Sequence, residues 1–188
     1  MAPRVPFVVF SPQDGWALAP DGRVALVRAA DYRVEWRQLD GTLIRGPANA
    51  ISPIPVTDED RREFVRRFLI ASPTSGRGDG ASGLGHTPAE WTKPEAVARM
   101  VDASQFAATR PAFEAGGIWA TENGELWVKR SLSMEAAATF DVFDGRGVAV
   151  KRVTLPVGRA VIGMGRSTLY AVVLDDVDLQ IIERYGRP

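Results

Sequence analysis

The feature that most constrains this chain is an internal repeat. Residues 10–47 read FSPQDGWALAPDGRVALVRAADYRVEWRQLDGTLIRGP, and residues 117–156 read GIWATENGELWVKRSLSMEAAATFDVFDGRGVAVKRVTLP. Both blocks alternate short runs of β-branched and aromatic residues with Asp-Gly or Asn-Gly pairs, the pattern of strands joined by tight turns. The first block predicts strands near 14–19, 23–29, 32–38 and 42–45, with turns at Asp21-Gly22 and Asp40-Gly41. Val24, Leu26 and Arg28 alternate with Ala25 and Val27, so that strand has two unlike faces. The second block predicts strands near 117–121, 125–131, 138–143 and 147–155.

Several positions correspond between the blocks. Trp16-Ala17 answers Trp119-Ala120, Gly22 precedes Arg28 as Gly124 precedes Arg130, and LDG at 39–41 answers FDG at 143–145. A third block, RAVIGMGRSTLYAVVLDDVDLQIIERYGRP, predicts strands near 160–164, 168–174 and 178–185. It follows the second at an offset of about 43 residues, the period of four-stranded propeller blades. VPFVVF at 5–10 is a further strand without a block of its own. The expected fold class is therefore all-β, in four-stranded meanders.

Between the first two blocks, at about residues 50–115, the pattern changes to that of a helical insertion. Thr57 and Asp60 stand at the spacing of a capping box. The helix expected over 58–71 carries Phe64, Val65, Phe68 and Leu69 on one stripe. A Gly- and Ser-rich stretch follows at 72–85, and then a second helix over 94–103 with Pro94 in its first turn. Residues 1–188 are read as one β domain interrupted by this insertion.

WALAPDGRVALVRAADYRVEW, TFDVFDGRGVAVKRVTLP and the closing LYAVVLDD…LQIIERYGRP resemble the C-terminal half of uncharacterised bacterial six-bladed β-propeller proteins. The resemblance covers about residues 5–56 and 113–188. It implies three four-stranded blades, half of a six-bladed ring, and a non-catalytic binding or interaction module whose ligand, protein or small molecule, is open. A closed ring needs at least about four blades. The expected partner is therefore a second copy, a homodimer completing the ring by exchange of strand 5–10 and so covering exposed strand edges. The alternative is a propeller-type hydrolase or lactonase with a carboxylate-lined, calcium-dependent channel.

Composition narrows the chemistry. Lys plus Arg equals Asp plus Glu at 23 each, so no net field draws in nucleic acid or an anionic membrane, and neither is an expected partner. There is no cysteine, which removes disulfides, thiolate metal sites and Cys nucleophiles. No stretch has the length of a transmembrane span, and VPFVVF is too short for a signal peptide, so a soluble chain without an address is expected. The compartment stays open.

The remaining candidates are individual residues. His86, the one histidine, lies in the Gly-rich stretch without a partner ligand, and an exposed loop residue is expected. Arg77-Gly78-Asp79 reads as part of the same loop rather than as an adhesion signal, and GRGDGASGLG lacks the Lys-Ser/Thr ending of a phosphate loop. Asp14, Asp21, Asp31, Asp40, Asp144, Asp175, Asp176 and Asp178 lie near strand ends, where Asp bonds turn backbone or, in clusters, holds calcium. No D-x-D-x-D-G spacing is present, so no metal site and no cofactor are expected, with calcium at 174–178 the least unsuitable case. Trp16, Trp36, Trp119 and Trp127 fall in strands and are expected in the core, whereas Trp91 in the insertion is the freer aromatic. Arg28 and Arg130, at equivalent places in two blocks, face either solvent or a central anion-binding channel. With Asp31, Tyr32 and Trp91 they form the candidate ligand-binding set.

Overall fold

A computed structural model describes residues 8–71, 93–133, 136–174 and 179–187. His86, Trp91, the Arg77-Gly78-Asp79 tripeptide and the Asp175, Asp176 and Asp178 cluster lie outside the described residues.

The protein is mostly β, with two α-helices among the described residues. The first sheet holds β1 (Gly15–Leu18), β2 (Val24–Arg28), β3 (Arg33–Arg37) and β4 (Leu43–Arg45) in chain order. A two-residue β5 (Ile54–Pro55) pairs with β6 (Thr109–Arg110). The second sheet holds β7 (Phe113–Ala120), β8 (Leu126–Arg130), β9 (Thr139–Phe143) and β10 (Ala149–Thr154), again in chain order. The third sheet has β11 (Ala160–Met164), β12 (Thr168–Leu174) and β13 (Gln180–Gly186). Within these three sheets every neighbouring pair is antiparallel.

The turns follow the chemistry read from the sequence. Gly22 and Gly124 have φ of 87° and 77°, conformations that cost a residue with a Cβ. Each donates its N–H three residues back, to Ala19 and Thr121. Asp21, Asp40 and Asp144 accept from the backbone N–H of Arg23, Thr42 and Arg146, so these carboxylates hold their own turns.

Two compact units form. One contains residues 1–11 and 55–109, the other residues 12–54 and 110–188. The first is the helical unit. Helix α1 (Asp58–Ala71) starts with the expected reciprocal cap, in which Asp60 N–H donates to Thr57 Oγ1 at 3.1 Å and Thr57 N–H to Asp60 Oδ2 at 2.9 Å. Phe64 packs edge-on against Phe10 and Phe106, with ring centroids 5.7 and 5.8 Å apart. Helix α2 runs Pro94–Met100, shorter than the expected 94–103, because Val101 turns to extended backbone and Asp102 then caps a 3-10 turn over Ala103–Gln105. Of the strand expected over 5–10, the described part is a single bridge residue. Val9 lies parallel to Phe106, donates its N–H to Gln105 and accepts from Ala107.

The second unit contains the three larger sheets, stacked through two seams. Ala25, Val27, Val34 and Trp36 of the first sheet pack with Ile118, Leu126, Val128 and Phe143 of the second. The opposite face of the second sheet, with Trp127, Phe140 and Val142, packs on Leu169 and Ala171 of the third. Every residue of β9 is buried, because this strand has a sheet on both sides. In the first seam the backbones touch: a Cβ on Gly46 would lie 2.1 Å from Gly147 O, so both positions require glycine.

Two expectations change here. Trp36 and Trp127 are core residues, but Trp16 is 67% exposed on the outer face of the first sheet. Nor is Trp16 the counterpart of Trp119. Trp16 pairs with Leu26, whereas Val128, which holds the place of Leu26, pairs with Ile118. Trp119 is one residue further on, and a one-residue step along a strand reverses the face. The turn glycines shift in the same way: Gly41 corresponds to Gly147, both at positive φ, rather than to the Gly145 of FDG.

Candidate functional site

The third strand of each large sheet carries one carboxylate at the same register. Glu35 stands opposite Leu26, Asp141 opposite Val128 and Glu183 opposite Ala171. A charge withdrawn from water must be paired, and each of these carboxylates is held by arginine. Glu35 accepts from Arg28 Nε at 2.8 Å and Arg45 Nε at 3.1 Å. Asp141 accepts from Arg152 Nε at 2.7 Å and Arg130 NH1 at 3.3 Å. Glu183 takes a two-pronged contact from Arg159, 3.0 Å on each oxygen, and a further bond from the Tyr185 hydroxyl.

Arg28 and Arg130 are therefore equivalent, as the sequence spacing indicated, and each faces a carboxylate of its own sheet. Arg28 also reaches Asp14 at 2.9 Å. The backbone N–H of Ala29, with Arg28 beside it, holds the Asp14 carboxyl below its ordinary range.

Tyr32 joins the second of these clusters from the neighbouring sheet. Its hydroxyl donates to Asp141 Oδ2 at 2.8 Å, with only 3% of the residue exposed. The ring stacks on Phe113 at 5.6 Å and meets Phe143 edge-on. Burial, then the adjacent Asp141 charge, pushes the phenol far above its ordinary value, so it stays a proton donor. The backbone at Tyr32 has φ of 45°, a costly conformation for a bulky residue. It is fixed by Asn49, whose side-chain amide donates to Tyr32 O at 2.7 Å. Asp31, the adjoining candidate, pairs with Arg33 at 2.5 Å.

Of the five candidates, then, Tyr32 and Arg130 converge on Asp141, while Arg28 centres on Glu35 and Asp31 bonds locally. The repeating carboxylates themselves were not singled out in the sequence. In the first two blocks their signal is an acid between apolar neighbours in the third strand, Val34-Glu35-Trp36 and Phe140-Asp141-Val142, whereas Glu183 stands between Ile182 and Arg184. Among the described residues no group of three or more His, Cys, Asp or Glu side chains is placed to hold a metal ion.

In the helical unit a groove of about 440 Å³ lies between α1 and α2, lined by Glu59, Arg62, Glu63, Arg66, Pro94 and Val97. Its charges are paired along α1, Glu63 with both Arg66 at 2.7 Å and Arg67 at 2.6 Å. No helix among the described residues is long and apolar enough to cross a membrane. The chain matches no family model, no curated protein and no solved structure.

Proposed function

We propose that the three large sheets are propeller-type blades, half of a six-bladed arrangement, and that the protein is a non-catalytic binding or interaction module on that scaffold. The observation that carries this reading is the recurrence of an arginine-paired carboxylate at one register in the third strand of all three sheets. A repeat conserved in position across sheets stacked face to face is the construction of a blade array. The clusters also show how the polar residues are used. Glu35, Asp141 and Glu183 each neutralise arginines, and Tyr32 ties one sheet to the next. Groups engaged in this way hold a platform rigid, and recognition then falls to exposed surface. The α1–α2 groove, with its alternating charges, suits a polar segment of a protein partner or a zwitterionic small molecule.

The competing reading is a hydrolase or lactonase with calcium-assisted chemistry. A panel of simple esters and lactones, run with added calcium and with chelator, separates the two. The binding-module reading expects no turnover above buffer in either condition. Turnover abolished by chelation overturns it in favour of the hydrolase.

A further inference from the structure

The two seams inside the chain are built to one plan. Each sheet presents one face to the sheet after it and the opposite, carboxylate-bearing face to the sheet before it. At the two ends of the stack one such face is left open.

On the first sheet it is the carboxylate-bearing face. Trp16 and Leu18 there are 67% and 62% exposed, although Ile118, in the place of Trp16 on the second sheet, is 9% exposed inside a seam. On the third sheet it is the opposite face, with Ile162, Tyr170 and Ile182. Ile182 is 65% exposed, whereas Val34 and Phe140, at its register on the other two sheets, are fully buried. Each open face thus carries apolar residues at positions that are covered wherever a neighbouring sheet exists, and the two faces are the two halves of one seam. Scattered exposed hydrophobics need no explanation, but contiguous ones at positions of this kind mark an interface.

We infer that a second copy of this chain covers both faces, the third sheet of each copy packing on the first sheet of the other. The inference rests on reading the sheets as blades. A second copy is the occupant because it offers both missing halves at once. The resulting two-fold assembly has six sheets, and each seam between copies continues the pattern of those within a chain. Glu35 and its arginines would then lie under a neighbouring sheet, as Asp141 lies under Tyr32. No strand exchange is needed, and the backbone of Val9 keeps its bonds to Gln105 and Ala107.

Light scattering on the full chain at micromolar concentration tests this. The expected mass is about 41 kDa, twice the 20.4 kDa of one chain. Leu18→Lys and Ile182→Glu alter exposed side chains, so each variant should keep the wild-type circular dichroism spectrum and run as a monomer. Mixed in equal amounts they should recover the dimer, because the mixed pair keeps one seam unaltered and sets opposite charges in the other. A wild-type mass of 20.4 kDa overturns the proposal. So does a dimer disrupted by only one substitution, which would mean a face pairing with its own copy, or by neither. Turnover in the substrate panel would leave the mass unchanged, so failure of the binding reading and failure of the assembly are distinguishable.

Discussion

Tyr32 combines an unfavourable backbone angle, a buried phenol and a hydroxyl bonded 109 positions away in sequence. Local energetics would not select such a residue; the contacts it makes must outweigh the strain. Tyr32→Phe keeps the stacking on Phe113 and removes only the donor to Asp141. A buried acceptor that loses a partner costs about 1–3 kcal/mol, and we expect a loss in that range by urea denaturation, with an unchanged slope. A loss no greater than that of an exposed control substitution would show that Arg130 and Arg152 suffice for Asp141. From the sequence Tyr32 stands in the candidate set. Its partner does not, because nothing local to Asp141 says which sheet faces it.

Helix α1 is the element whose sequence was most informative. Its start, cap and length follow from Thr57, Asp60 and the apolar spacing, all of which act within one or two turns. The ion pairs along it follow the same rule: Glu63 meets Arg66 and Arg67 one turn on, and chiefly the Arg66 bond lowers its carboxyl from the ordinary 4.5 to about 2. A lowered carboxylate pKa stabilises the folded state fully above the ordinary value and is lost as pH falls through the folded value. The contribution of Glu63 is therefore complete above about pH 4.5 and disappears towards about pH 2. Carboxyl chemical shifts from an NMR titration should give Glu63 a midpoint near 2, moving up towards 4.5 in Arg66→Ala. A midpoint that does not move would assign the shift to another neighbour. Strand β7 taught the opposite lesson. Trp119 stands one position nearer its turn than Trp16 does and so takes the opposite face, while the irregular pairing of β7 with β8 lies between Phe113 and Ile118 and does not reach it.

At the scale of the sheet-bearing unit, burial is graded along the stack. Strand β9 is buried throughout and β8 nearly so, whereas β13 is an edge strand with its outward residues exposed. Amide hydrogen exchange should therefore be slowest in β8 and β9 and fastest, among paired strands of this unit, in the exposed edge strands β4, β10 and β13. Uniform protection across the three sheets would contradict a stack stabilised mainly from its middle.

The sequence by itself determined the strands, the turns between them and the first helix, because period-2 alternation, Asp-Gly turns and a capping pair act between residues close in the chain. It also marked Arg28 and Arg130 as equivalent, since their spacing from a turn glycine is local. Only the tertiary structure decided which face of each sheet is covered, why Trp16 points outward while Trp36 is buried, and that Tyr32 completes the Asp141 cluster. Those outcomes depend on packing between sheets separated by about a hundred residues, where a shift of one residue reverses a face and no local signal records it.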